Sequence, residues 1–417
     1  MIRVNADSGL PSPSAAAAKP AATGLLPPGG HYPVRTVVNY PGETLPTLVG
    51  PPILAVGSGG PDTRAANLTL VLQSLYRQPG LTRAELARRT GLARVTISDL
   101  VAQLIGDGLL RETGLADQAR AGRKAISLAV RDDTTDIIAL DLSGSEQILG
   151  AVFSLYGELR YEQSAPIDGA TGESAVALGI GLIEDLTAHC RNRLLGIGVG
   201  MPGTIDQNGR VLTALALGWH DFDLQDRLAQ RFHCLAGVIN DGNAGVLAEQ
   251  MFVGGTENLL RVQLTRGVGA GLMLDGQVVI GQSAAAGEIG HLVVEHNGTR
   301  CLCGKRGCLE TWASVPALQR RIVENPARRD EILAEGGRRL GMVLAPILAM
   351  LDIDDIVLGG PDDLILGPFI DAAEALVNER LQSEFRGPVH LRTSALDGNA
   401  TLLGAVALIL RTSLGLR

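Results

Sequence analysis

Four side chains restrict this chain more than any others. His291, Cys301, Cys303 and Cys308 read His-x9-Cys-x-Cys-x4-Cys, with Gly304 and Gly307 giving the sharp turns that ligands at such close spacing need. Three thiolates and one imidazole make a closed tetrahedral set suited to structural zinc (Zn2+), whereas a catalytic zinc keeps one position open for water. In small peptides such a site contributes about 10–16 kcal/mol, enough to order a loop that would otherwise be floppy. The alternative is a tight loop of unligated cysteines. Cys190 and Cys234 lie elsewhere and read as small buried hydrophobes. Five cysteines in 417 residues exclude a disulfide scaffold, and a reducing cytoplasm is the expected location.

The loop has carboxylates on both sides. Gly287-Glu288-Ile-Gly precedes His291, and Leu309-Glu310 follows Cys308. A metal there would hold Glu288 and Glu310 in fixed positions. With Asn240 and Asp241 they make four acceptor-rich side chains, the equipment for gripping vicinal hydroxyls of a sugar.

From residue 132 onward, short apolar runs open into glycine-rich or polar loops. Ile137–Leu142 leads into Asp141-Leu-Ser143-Gly144-Ser-Glu146, and Ile148–Leu155 follows as a second strand. Leu194–Val199 leads into Gly200-Met-Pro-Gly203, and Gly237–Ile239 into Asn240-Asp-Gly-Asn243. Leu259–Leu264 leads into Gly267-Val-Gly269-Ala-Gly271, and Ile356–Leu358 into Gly359-Gly360. This series fits α/β domains that bind ligands at the carboxyl ends of their strands. Aromatics at 3% beside 53 glycines also favour turn-rich α/β architecture over an aromatic-packed sandwich.

The net charge of −8 conceals an asymmetry. Residues 64–131 carry 11 basic and 5 acidic groups, residues 132–417 carry 22 and 36, and residues 1–63 are neutral. A compact basic module beside a large acidic body suggests a polyanion-binding unit. Within it, Leu68, Val71, Leu72 and Leu75 recur at helical spacing until Pro79-Gly80. Thr82-Arg-Ala-Glu85 is a capping box that starts a second helix, which runs to about Thr90 and stops at Gly91. A third helix from about Ala93 buries Ile97, Leu100, Val101 and Leu104. Two strand-like pieces, Leu109–Thr113 and Ala125–Leu128, flank a loop with Arg120, Arg123 and Lys124.

Three helices and a basic hairpin form the layout of a winged helix-turn-helix, whose third helix enters the major groove of double-stranded DNA. Its outward face presents Val95, Thr96, Ser98, Asp99 and Gln103, with Arg94 at the shoulder and Arg123 and Lys124 on the wing. A helical dimerisation unit with a solvated basic face is the alternative. Residues 1–63 hold 11 of the 20 prolines and an Ala15–Ala18 run, and are expected to be a disordered extension. The N-terminus lacks the apolar core of a secretory signal, and no run of about 20 apolar residues predicts a membrane span.

Gly287-Glu-Ile-Gly-His291, the cysteine cluster with Leu309-Glu-Thr-Trp-Ala-Ser314, Gly198-Val-Gly-Met-Pro-Gly203 and Asn240-Asp-Gly-Asn243 resemble the ROK (repressor, open reading frame, kinase) family of bacterial sugar kinases and sugar-responsive regulators. The resemblance covers about residues 64–417. It implies an actin-like, ribonuclease-H-like body of two lobes around a sugar cleft: a small lobe of about 132–243 plus the C-terminal helix 398–417, and a large lobe of about 244–397. It also implies that Asn240, Asp241, Glu288, His291 and Glu310 contact sugar hydroxyls. His291 would double as a metal ligand, and Asp241 matches the general base of the kinases.

The departures from the kinase pattern separate the two branches. Where the kinases resemble Asp-x-Gly-Gly-Thr-Lys, this chain reads Asp141-Leu-Ser143-Gly144-Ser-Glu146, and where they resemble Gly-Thr-Gly-x-Gly it reads Thr265-Arg266-Gly267-Val-Gly269. A phosphate cradle works through unobstructed backbone amides, so Ser143, Glu146, Thr265 and Arg266 should weaken ATP binding. No catalysis is expected. The resulting expectation is a sugar- or sugar-phosphate-responsive repressor, a homodimer or homotetramer that binds operator DNA. The rivals are an ATP-dependent sugar kinase with a DNA-binding module, and an interaction protein indifferent to sugar.

Overall fold

The computed structural model of the chain describes residues 63–115, 125–396 and 398–416. The expected disordered extension, and Arg120, Arg123 and Lys124 of the wing, lie outside the described residues. Among the described residues, no helix is long and apolar enough to cross a membrane.

The first unit follows local sequence rules closely. Helix α1 (Thr63–Arg77) buries Leu68, Val71, Leu72 and Leu75. Helix α2 (Arg83–Thr90) begins at the capping box: the Thr82 hydroxyl accepts from the Glu85 amide at 3.3 Å, and the Glu85 carboxylate accepts from the Thr82 amide at 2.8 Å. Gly91 ends it in the left-handed conformation at φ 72°, a geometry glycine adopts without a Cβ penalty. Helix α3 (Arg94–Gly106) buries Ile97, Leu100, Val101 and Leu104. Strand β1 (Leu110–Leu115) pairs antiparallel with β2 (Ile126–Val130), each starting one residue beyond expectation.

The first sheet of the body begins with β3 (Thr135–Asp141), β4 (Gln147–Phe153) and β5 (Leu159–Pro166). It continues through α4 (Gly172–Thr187) and β6 (Arg193–Met201). A small three-stranded excursion follows, β7 (Thr204–Ile205), β8 (Val211–Ala214) and β9 (Trp219–Phe222), then α5 (Leu224–Phe232) and β10 (Leu235–Asn240). The order is β10-β6-β3-β4-β5, with β3, β4 and β5 antiparallel and β3, β6 and β10 parallel. Helix α6 (Asp241–Ala248) continues through a π turn, Glu249–Val253, towards the second sheet.

The second sheet repeats the plan. Strands β11 (Leu259–Leu264), β12 (Val268–Leu274) and β13 (Gln277–Val278) form the antiparallel meander. The metal-type loop, α7 (Glu310–Ala313), α8 (Val315–Glu324) and α9 (Arg329–Leu351) follow. Strand β14 (Asp355–Gly359) runs parallel to β11, and after α10 (Asp362–Ile365) and α11 (Pro368–Leu381), β15 (Leu391–Thr393) runs parallel to β14. The chain ends in α12 (Ala400–Leu414).

Two expectations are corrected. The run Gly267-Val-Gly269-Ala-Gly271 is not a loop: only Thr265–Gly267 turn, and Gly269 and Gly271 lie inside β12. Gly271 leaves room for the carbonyl of Gly242 on α6, a helix-to-strand approach that a side chain would block. The lobe boundary expected between residues 243 and 244 falls inside α6. That helix packs against α12 on one side and β11 and β12 on the other, and so belongs to both sheets.

Helix α12 is buried almost all round, including Leu402, Leu403, Ala405, Val406, Ile409 and Leu410. It lies on β3, β6 and β10 and touches α6 so closely that a Cβ at Gly404 would meet the Ala244 carbonyl. At its other end, Leu414 and Leu416 join the core of α1, α3 and β2. The winged unit is therefore not hung from a linker. It shares one apolar core with the body. Tyr76 seals the junction, stacking on Tyr156 at 4.8 Å and donating its hydroxyl to the Leu155 carbonyl at 2.8 Å.

Candidate functional site

The outward face of α3 is open. Arg94, Val95, Ser98 and Asp99 are exposed, Val95 at 73%, while Thr96 is half-buried on the flank. An exposed valine beside polar groups could offer an apolar contact to a base methyl. Gln103 departs from expectation: its side-chain oxygen accepts from Nε and Nη2 of Arg64 at 3.2 and 2.8 Å, which turns it toward α1. It sits seven residues beyond Thr96, at the edge of the helix rather than its crest. Arg88, in the last turn of α2, extends a guanidinium at 77% side-chain exposure and was not marked by any motif.

In the body, His291, Cys301, Cys303 and Cys308 come together, their ligand atoms all within 4.8 Å of one another. Cys303 Sγ lies 3.6 Å from Cys308 Sγ, and Cys301 Sγ 3.7 Å from His291 Nδ1. A tetrahedral ion with bonds of about 2.3 Å to sulfur and about 2.0 Å to nitrogen requires separations of about 3.5–3.8 Å, far from a disulfide bond. The donor set and spacing fit a metal ion. Cys301 and Cys308 are buried and Cys303 is exposed.

The loop has a second anchor that no motif announced. The Trp312 ring lies between the guanidinium groups of Arg321 and Arg339, at 4.2 and 4.7 Å, and its indole N–H donates to Glu295 at 3.0 Å. Arg339 also donates to the Val294 carbonyl, which ties the loop to α9. These contacts hold α7, and with it Glu310, independently of any metal. Glu310 accepts weakly from the Val268 amide at 3.4 Å and sits 3.7 Å from Cys301 Sγ.

His291 directs Nδ1 to the cysteines and Nε2 to Glu288, 3.8 Å away. Such a histidine can ligate through one nitrogen while the other faces a carboxylate or a ligand. Glu288 is half exposed, as a group facing an open cleft would be. Across from it stands the start of α6. Asn240 caps the helix, its Oδ1 accepting from Asn243 at 3.1 Å, and its Nδ2 donates to the Gly203 carbonyl and to Asp241, both at 3.0 Å. The sequence read Asn240-Asp-Gly-Asn243 as loop, yet the helix begins at Asp241. Asn240 is thus largely engaged in shaping the site.

Asp241 is the electrostatic centre. Burial, then the charge of Asp141, push its carboxyl up to about 6; the Gly242 amide, donating at 2.9 Å, opposes this, and the charge of Glu288 adds to it. Asp141, at the end of β3, is itself raised by burial although Ser143 donates to it through both N–H and hydroxyl, at 2.8 and 2.6 Å. Two crowded carboxyls at strand and helix ends are a frequent sign of a functional site. Asp141 belonged to a sequence motif but was not expected as a site residue. Its signal was an acidic side chain ending the apolar run Ile137–Leu140. Glu146, Thr265 and Arg266 are all exposed on their turns.

The ROK family model matches residues 137–412, and a MarR family model matches residues 69–121. The chain is 25% identical to the xylose repressor of Bacillus subtilis, over 83% of this chain and 95% of that one. It is 27% identical to the DNA-binding transcriptional dual regulator NagC of Escherichia coli, over 85% of this chain and 97% of that one. Among solved structures, a ROK family transcriptional regulator described as a homologue of the E. coli MLC protein superposes with a TM-score of 0.74 at 22% identity, covering 85% and 98% of the two chains. A ROK family glucokinase from Streptomyces griseus, in complex with glucose and AMPPNP, gives 0.58 at 23% identity, covering 66% and 98%. That kinase therefore accounts for the body alone, while the regulator accounts for the winged unit as well. By the extent of the family match and the winged unit ahead of it, the chain belongs to the ROK family.

Proposed function

We propose that this protein is a sugar-responsive transcriptional repressor acting on genes for carbohydrate uptake or catabolism. The observation that carries this reading is its likeness, along both units, to repressors named for xylose and N-acetylglucosamine. Residues 64–131 form the DNA-binding unit and 132–417 the ligand-binding body. In a homodimer or homotetramer, two α3 helices would enter successive major grooves of a near-palindromic operator. Arg94, Val95, Thr96, Ser98 and Asp99 face the DNA, Gln103 at the edge, and Arg123 and Lys124 grip phosphate or the minor groove from the wing.

The ligand is a sugar or sugar phosphate held by Asn240, Asp241, Glu288, His291 and Glu310. Zinc is the metal that best fits His291, Cys301, Cys303 and Cys308. Its contribution is a crosslink that fixes loop geometry. Asp241 acts as a hydroxyl acceptor, and Glu146 and Arg266 disfavour a triphosphate beside it. Sugar closes the cleft and shifts α6, and α12, which touches α6 and the winged unit at its two ends, carries the shift to the DNA. Such a ligand acts only through a difference in affinity between the two states.

The test is operator selection from random duplexes, followed by gel-shift titration with D-xylose, D-glucose and N-acetyl-D-glucosamine, free and phosphorylated. One of these should weaken operator binding at least tenfold. ADP release above about 1 s⁻¹ with any of them, within the ordinary range for enzymes, would favour the kinase reading instead.

A further inference from the structure

The chain crosses between the two sheets twice, through α6 with its π turn and through the segment from β15 to α12. Both crossings are fastened at one carboxylate. Glu249, the first residue of the π turn, is fully buried. Its Oε1 accepts from the Ser394 hydroxyl on the second crossing, and its Oε2 from Arg392 Nη1 of β15 at 3.1 Å. Arg261 of β11, 2% exposed, places Nε 3.6 Å from the same carboxylate and donates to Gln263. Arg392 continues the chain of charges to Asp355 of β14 at 2.8 Å, and Asp355 accepts from the Thr256 amide at 3.0 Å, where the first crossing ends.

The backbone is cut to fit this lattice. A Cβ at Gly245 would come within 2.5 Å of Arg261 Nη1, and a Cβ at Gly359 would strike its Nη2. Glycine at both positions opens a slot between α6 and β14 that a guanidinium fills. Gly245 and Glu249 stand one helical turn apart, so the same arginine reads both and fixes the register of the helix. Buried charges in water-free surroundings are costly unless paired, and apolar groups of equal volume would often serve stability as well. An ion lattice here therefore specifies position. What it positions is α6, which carries Asn240 and Asp241 at its start, whereas Glu288, His291 and Glu310 follow the meander of the second sheet.

We propose that Glu249 is a positioning residue of the cleft, which fixes α6 against the second sheet through Arg261, Arg392 and Ser394 and so sets Asn240 and Asp241 opposite Glu288, His291 and Glu310. The link from position to sugar affinity rests on the ligand assignment above; the link from Glu249 to α6 does not.

Glu249→Gln keeps the shape and removes the charge. In the full metal-loaded chain, hydrogen exchange read by mass spectrometry should show peptides over residues 240–254 exchanging at least tenfold faster, with α9 and α11 at wild-type rates. Calorimetric titration with the same free and phosphorylated sugars should show affinity down about tenfold, the scale of loss when a residue behind a ligand contact is removed, with metal content unchanged. Ser394→Ala, which deletes one hydroxyl, should move both measurements the same way by less. Uniform acceleration across the body, or α6 exchange at the wild-type rate, overturns the proposal. Wild-type sugar affinity in a variant whose α6 has loosened overturns it too. If the wild-type chain takes up none of these sugars, the ligand reading fails, and the exchange pattern alone decides whether Glu249 holds α6.

Discussion

The two sheets of the body share one plan and differ in what secures it. Each is an antiparallel meander followed by two parallel strands, in the orders β5-β4-β3-β6-β10 and β13-β12-β11-β14-β15. The first is secured by ordinary packing and by one buried carboxylate: Asp136, 1% exposed, accepts from the Arg191 and Asn192 amides at 2.8 Å and from Arg160. The second is secured by a four-residue metal-type cluster, a tryptophan between two arginines, and the Glu249 lattice. Equal topology thus does not mean equal work. The first sheet carries the winged unit through α12, and the second organises the loop that holds the metal-type cluster, in keeping with the rule that function lies in sites grafted onto a fold.

The sharpest way to break this contrast is Cys308→Ser. It should abolish metal binding and lower stability by about 2–5 kcal/mol, the scale of losing a native crosslink. Exchange should rise over residues 287–309 and leave the first sheet unchanged. The Trp312 anchor predicts that α7 keeps part of its protection; complete melting of α7 would show that the metal alone holds Glu310.

Gly404→Leu addresses the joint between the halves. Its side chain has no room beside Ala244, and overpacking of this kind costs about 1–3 kcal/mol. Operator affinity should persist while its response to sugar shrinks, because α12 is pushed off α6 at one end only. Equal loss of operator binding with and without sugar would locate the coupling elsewhere.

The mildest probe concerns charge. The Asp241 carboxyl titrates at about 6 in the folded chain, above its ordinary value, so the folded state favours the protonated form. Its stabilising effect is complete below about pH 4 and is lost as pH rises through about 6. Asp241→Asn should therefore stabilise the protein by about 1–2 kcal/mol at pH 7.5 and leave it nearly unchanged at pH 4. Urea unfolding at the two pH values measures this. Sugar binding should be lost in the same variant, so that stability and ligand affinity move in opposite directions.

The winged unit was legible in the sequence because its signals are local: a capping box four residues long, a glycine stop, a stripe at helical spacing. The cysteine cluster was legible for the same reason, all its ligands lying between residues 291 and 308. Gln103 was placed less well, since Arg64, the group that turns it, is 39 residues away. Gly269 and Gly271 read as part of a glycine-rich loop because glycine marks turns and close packing alike. At Gly271 only the approach of α6 shows that packing is the reason.

By itself, then, the sequence determined the elements and the chemistry available to them: a winged unit whose third helix has an open face, a metal-type donor set, a group of carboxylates and amides. Tertiary structure alone decided how these are joined. Nothing local in Leu414 or Leu416 indicates that they complete the core of α1 and α3. Nothing local in Glu249 indicates that Arg261, Arg392 and Ser394 meet there, from residues up to 145 positions away. Periodicity and capping act within a few residues along the chain. Burial and charge pairing act between whichever surfaces the folded chain brings into contact.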